Sequence, residues 1–211
     1  MVKSREPFAS LLLYHTLKWS IISPMLHSYF RGKIYGAENV PPQGPLVIVS
    51  NHASNFDPPI VSNCVCRPVA YMAKEELFKV PLLNKAIALY GAYPVNRGSA
   101  DRQAIRSALE FLEQGWAVGL FLEGTRTPDG RINDPKRGAA LIAAKAKAPL
   151  LPVSLWGTQE IEKQGGFPRS VPVTIRIGTV IEAPTSSNKE ELELITQNCA
   201  TAINELHSLG R

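Results

Sequence analysis

His52 and Asp57 stand five residues apart in the stretch Val49-Ser50-Asn51-His52-Ala53-Ser54-Asn55-Phe56-Asp57-Pro58-Pro59. An imidazole can take a proton from a hydroxyl. A carboxylate that accepts from its other ring nitrogen would set the tautomer and orient the ring. At this separation the two do not share a face of a straight helix, but a strand-loop-helix elbow can fold the carboxylate back onto the imidazole. A local reading also exists, in which Asp57 ahead of two prolines caps a helix and His52 is an ordinary loop histidine. The pair is two-thirds of a serine-hydrolase triad, and no G-x-S-x-G elbow supplies a serine. The hydroxyl would then belong to a substrate. Two further stretches set an arginine beside a glycine: Asn96-Arg97-Gly98 and Glu123-Gly124-Thr125-Arg126. A guanidinium fork suits phosphate oxygens, and glycine admits close approach of a ligand.

All three stretches follow apolar runs that read as strands: Pro45 to Ser50, Ala92 to Val95 and Ala117 to Leu122. In open α/β sheets ligands collect beyond the carboxyl ends of strands, so the three would share one rim. Val69 to Ala73, Leu150 to Trp156 and Val171 to Ile177 read as further strands. Helices are expected from Pro59 to Cys66, from Lys74 onward, over Asn84 to Tyr90 and over Ala100 to Gln114, where Ile105, Leu109 and Leu112 recur at helical spacing. Thr127 to Gly130 reads as a turn. Asp134-Pro135 predicts the start of a helix running to Lys147, and Ser187 the cap of a last helix ended by Gly210. The alternation predicts an α/β fold: a largely parallel central sheet flanked by helices, with an N-terminal amphipathic helical segment.

The chain has 211 residues, 45% of them apolar, which suits one domain with one large core. Its net charge of +5 suits anionic partners. No basic run is interleaved with aromatics, so nucleic acid is not expected as a partner. The histidines at 15, 27, 52 and 207 do not cluster, and no metal site is expected. Three cysteines without framework spacing fit a reducing compartment. Residues Phe8 to Phe30 are apolar but interrupted by His15 and Lys18, and Pro24 is expected to break any helix there. Leu13, Leu17 and Ile21 recur at helical spacing, with His15 and Lys18 on another face. This pattern fits either an in-plane interfacial helix or an amphipathic helix capping the domain.

Four blocks in order resemble the glycerolipid acyltransferases, the family typified by 1-acylglycerol-3-phosphate acyltransferase. Asn51-His52 through Asp57 is similar to the family's NHxxxxD block. Tyr93 to Gly98, Phe121 to Arg126 and Pro149 to Val153 resemble its second, third and fourth blocks. The resemblance covers roughly residues 35 to 180; Leu122 stands where the family usually has proline.

The resemblance implies transfer of an acyl chain from a thioester, on coenzyme A or acyl carrier protein, to the sn-2 hydroxyl of 1-acylglycerol 3-phosphate. Glycerol 3-phosphate or another lysophospholipid as acceptor, and a non-catalytic phospholipid-binding role, are the alternatives. It implies His52 as general base and Asp57 as its orienting acid. Arg97 and Arg126 would hold the acceptor's phosphate, Glu123 would orient those arginines or the acceptor, Gly124 would let the backbone come close, and Thr125 would belong to the substrate-binding set. Lys74 would help polarise the thioester carbonyl. No bound cofactor is implied, since the donor is a co-substrate. It also implies residues 1–33 as a membrane-interface segment and 34–211 as the acyltransferase domain, held at the cytoplasmic face of a membrane. A covalent route through Cys64 or Cys66 is disfavoured, because neither stands at a strand end.

Overall fold

In a computed structural model, residues 8–79, 84, 87–88, 91–95, 102–162 and 168–211 are described. Seven strands form one sheet: β1 (Lys33–Tyr35), β2 (Leu46–Ser50), β3 (Val69–Lys74), β4 (Ala92–Val95), β5 (Ala117–Phe121), β6 (Leu150–Trp156) and β7 (Thr174–Ile177). Their order is β1-β7-β6-β2-β5-β3-β4. Every pairing is parallel except β6 with β7. The largely parallel α/β sheet predicted from the sequence is therefore the fold.

The central strand shows why its sequence is a continuous apolar run. Val47 and Val49 point into one core and Leu46 and Ile48 into the other, and all four are fully buried. A strand covered on both faces cannot afford the polar alternation of a half-exposed one. Burial of each such side chain stabilises by roughly 1.5–3 kcal/mol. One face is covered by α3 (Arg102–Glu113), α4 (Gly138–Ala146) and α5 (Lys189–Ser208), after α1 (Phe8–Leu17) and α2 (Asp57–Cys64) in chain order. The other is covered by α2 and the end of the N-terminal segment, through Ile60, Val61, Leu26 and Phe30.

Several elements differ from expectation. The helix expected at Asp134 begins at Gly138. The backbone N–H groups of Asn133 and Asp134 are held by the Glu123 carboxylate, and Lys136 N–H donates to the Leu122 carbonyl. These donors are committed to the loop after β5, so the segment stays irregular. Asn188, not Ser187, caps α5, its side-chain oxygen accepting from Glu191 N–H at 2.8 Å. Finally, Pro24 does not break the N-terminal segment. Wide π turns at Lys18–Ile22 and Met25–Tyr29 flank it, and the Ser23 and Phe30 N–H groups bond carbonyls five residues back. The wider coil accommodates a ring that would otherwise crowd the preceding turn. The helix expected over Asn84 to Tyr90 falls mostly outside the described residues.

The N-terminal segment also faces differently from the sequence pattern. Tyr14, Lys18, Leu26 and Phe30 are buried, while Ile21 is exposed and Leu17 half-buried. Tyr14 Oη–H reaches the carbonyls of Ser62 and Arg67, at 2.8 and 2.9 Å, and so ties α1 to the end of α2. Lys18, expected on the polar face, sits with its Nζ 3.6 Å from Cys66 Sγ. Leu12, Trp19 and Ile21 are left in solvent. No helix among the described residues is long and apolar enough to cross a membrane.

Candidate active site

The register of the parallel strands brings the ends of β2, β3, β4 and β5 to one rim. Ser50 of β2 pairs with Phe121 of β5, and Lys74 of β3 with Val95 of β4. Asn51 and His52 leave the first strand at the level where Leu122 and Glu123 leave the second. The two exits are stitched together: Leu122 N–H donates to the Ser50 carbonyl at 3.1 Å and Thr127 N–H to the His52 carbonyl at 2.8 Å. Asn51, fully buried, clamps a third segment. Its amide donates to the carbonyls of Gly130 and Leu155, at 2.7 and 2.8 Å, and its oxygen accepts from Leu155 N–H at 2.8 Å.

From this platform the chain turns through Ala53–Asn55 into α2, whose first residue is Asp57. The turn folds the carboxylate back onto the imidazole, with His52 Nδ1 2.8 Å from Asp57 Oδ2. That oxygen also accepts the N–H groups of Ala53 and Ser54, at 2.7 and 2.8 Å, and Asp57 is fully buried. A carboxylate oxygen can only accept, so Nδ1 carries the hydrogen and the basic lone pair resides on Nε2. The helix-cap reading of Asp57 fails because its donors precede it in the turn rather than follow it in the helix. The ring plane is set by Phe121, stacked on His52 at 3.9 Å and 14°, with Tyr71 stacked beyond at 5.8 Å. Gly119 makes room for that stack: a Cβ there would lie 2.2 Å from Tyr71 Cε1.

The loop after β5 distributes its residues unequally. Gly124 has φ +69°, and a Cβ added there would meet nothing within 4 Å, so the backbone borders open space. Thr125 and Arg126 are exposed. Glu123 binds the backbone of Asn133 and Asp134. Among the described residues Arg126 pairs instead with Glu162, Nη1 to Oε2 at 3.7 Å. Lys74 ends β3 at the same rim. Arg97 lies outside the described residues.

Glu162 was not singled out by the sequence. It follows β6, another strand whose carboxyl end opens on this rim, but 107 and 108 residues separate it from its partners. Its Oε2 accepts Ser54 Oγ–H and Asn55 N–H, and its Oε1 accepts the Asn55 amide, each at 2.8 Å. Partial burial pushes its carboxyl pKa up; the donors of Asn55 and Ser54 and the charge of Arg126 outweigh that and hold it below the usual range.

Cys64 is buried in α2, and that burial pushes its thiol pKa far up, so it is a poor nucleophile. Among the described residues no three His, Cys, Asp or Glu side chains gather as a metal site requires. The arrangement that remains is a fixed imidazole with a basic Nε2, beside an open loop carrying a guanidinium. Chemically it can take a proton from an alcohol on an anionic molecule.

Residues 31–156 match the family described as Acyltransferase. The chain is 30% identical over 181 residues to the 1-acyl-sn-glycerol-3-phosphate acyltransferase of Bacillus subtilis, covering 83% of this chain and 88% of that one. It is 33% identical over 150 residues to the chloroplastic protein BAT2 of Brassica napus, which carries the same activity name. That match covers 70% of this chain, which thus spans 43% of the plant protein's length. The crystal structure of PlsC from Thermotoga maritima, titled a 1-acyl-sn-glycerophosphate (LPA) acyltransferase, superposes with a TM-score of 0.74 at 30% identity, covering 93% of this chain and 79% of that one.

Proposed function

The chain belongs to the acyltransferase family, and on that premise we propose that it transfers an acyl group from a thioester to the sn-2 hydroxyl of 1-acylglycerol 3-phosphate, giving phosphatidic acid. The observation that carries this reading is the 2.8 Å bond from His52 Nδ1 to a buried carboxylate, in a sequence that has no G-x-S-x-G elbow. His52 Nε2 removes the acceptor's hydroxyl proton as the oxygen attacks the thioester carbonyl. The tetrahedral intermediate collapses with departure of the thiolate, and the imidazolium returns the proton to that sulfur. Asp57 holds the ring in place and stabilises its cationic form. The thiolate leaves readily, so no separate acid is required.

Arg126, with Arg97, holds the phosphate, and the open space above Gly124 and Thr125 admits the glycerol backbone. Lys74 serves the thioester carbonyl as its oxygen gains charge. Glu123, bound to the backbone at 133–134, supports this loop instead of touching the acceptor. Coenzyme A or acyl carrier protein presents the acyl group, and the enzyme needs no bound cofactor. Residues 1–33 rest on the cytoplasmic surface of a membrane through Leu12, Trp19 and Ile21, with the domain 34–211 above them.

Release of free thiol from an acyl thioester, with and without lysophosphatidate, tests the activity. The wild type releases thiol only when the acceptor is present, and His52→Ala lowers kcat by about 10²–10⁴-fold with an unchanged circular dichroism spectrum. Near-normal turnover by the variant removes His52 from the chemistry. A panel with glycerol 3-phosphate and other lysophospholipids identifies the acceptor, and exchanging the donor separates coenzyme A from carrier protein.

A further inference from the structure

Glu162 lies outside all four blocks that resemble the family, yet it grips the turn on which the His52–Asp57 pair depends. Ser54 and Asn55 are the middle of that turn. Ser54 N–H and Ala53 N–H hold Asp57 Oδ2, while Ser54 Oγ–H, Asn55 N–H and the Asn55 amide all donate to Glu162. Ser54 is fully buried, and its Oγ in turn accepts Phe56 N–H at 3.2 Å. The same Glu162 carboxylate faces Arg126 at 3.7 Å. One side chain thus bridges the loop after β2, which carries the imidazole and its acid, and the loop after β5, which carries the guanidinium.

We infer that Glu162 is a positioning residue: its carboxylate locks the 53–55 turn, and through it Asp57 and His52. Three short hydrogen bonds to a charged acceptor are stronger and more directional than neutral ones. Catalysis by a held base is sensitive to small displacements, and a shift near 1 Å can cost about 10²-fold. Glu162 acts without touching the reacting atoms. The inference rests on the acyl-transfer reading, and its test separates the two.

Wild type, Glu162→Gln and Glu162→Ala are compared in the thiol-release assay with acyl-coenzyme A or acyl carrier protein and lysophosphatidate, alongside their thermal midpoints. Glu162→Ala lowers kcat at saturating acceptor by about 10- to 100-fold, beyond what any fall in folded fraction explains. Glu162→Gln keeps one oxygen acceptor and falls between Ala and wild type. If the alanine variant does not fold, the glutamine variant decides alone: a normal midpoint with kcat lowered severalfold supports the role, and wild-type kcat refutes it. Unchanged kcat in both variants overturns the inference. So does unchanged kcat with a lowered KM for lysophosphatidate, which would make Glu162 an occupant of the anion site instead of a clamp. Absence of thiol release by the wild type overturns the acyl-transfer reading itself, and this inference with it.

Discussion

Arg126 and Glu123 are neighbours in the chain but have different partners. Glu123 is taken up by the backbone at 133–134, whereas Arg126 projects from the rim with half its side chain exposed and a carboxylate 3.7 Å away. A residue so placed can exchange Glu162 for an incoming phosphate. Arg126→Ala should therefore raise KM for lysophosphatidate by about tenfold or more, since a hydrogen bond to a charged group contributes roughly 1.5–3 kcal/mol, and should change kcat less. Initial rates over a range of acceptor concentrations check this; an unchanged KM excludes Arg126 from the site. At this scale the sequence spoke plainly about His52 and Asp57, because both partners lie in one turn. It was silent about Glu162, because a contact across 107 residues leaves no local pattern.

At the scale of elements, propensity placed most strands and helices, and competing hydrogen bonds moved their ends. The start of α5 shows the competition resolved. Glu191 accepts from the hydroxyls and backbone N–H groups of Thr185 and Ser186, while Asn188 caps Glu191 in return. The Ser186 hydroxyl first, then Thr185, pull the Glu191 carboxyl pKa from 4.5 to about 2. A carboxyl lowered on folding stabilises the native state above its unfolded value and loses that contribution as pH falls through the folded one. Glu191→Gln should thus unfold at a lower temperature than wild type at neutral pH. The gap should narrow between pH 4.5 and 2, as measured by thermal melts across that range; a constant gap contradicts the assignment. The helix expected from Asp134 starts only at Gly138, after a stretch where Glu123 holds the N–H groups of Asn133 and Asp134 and Lys136 N–H bonds the Leu122 carbonyl.

Across the whole molecule, the N-terminal segment is both packed and presented. Phe30 enters the core and meets Phe56 edge-on at 5.8 Å, so the segment is coupled to the turn that carries Asp57. Its outer side shows Trp19 at 66% and Ile21 at 54% exposure. An apolar pair in water on a chain of net charge +5 suits an anionic lipid surface. Replacing both residues with glutamate should cut partition onto phosphatidylglycerol-containing vesicles by tenfold or more, with the thermal midpoint kept; co-sedimentation measures it, and undiminished binding assigns the membrane contact elsewhere. By itself the sequence determined the α/β class and the pairing of His52 with Asp57 across one turn, since periodicity and turn chemistry act over a few residues. Only the tertiary structure decided which way the N-terminal helix faces, that Glu123 binds the backbone of Asp134, that Gly119 leaves space for the Tyr71–Phe121–His52 stack, and that Glu162 accepts from Ser54. Those contacts join segments far apart in the chain, and the sheet register that brings them together is set by the packing of the whole core.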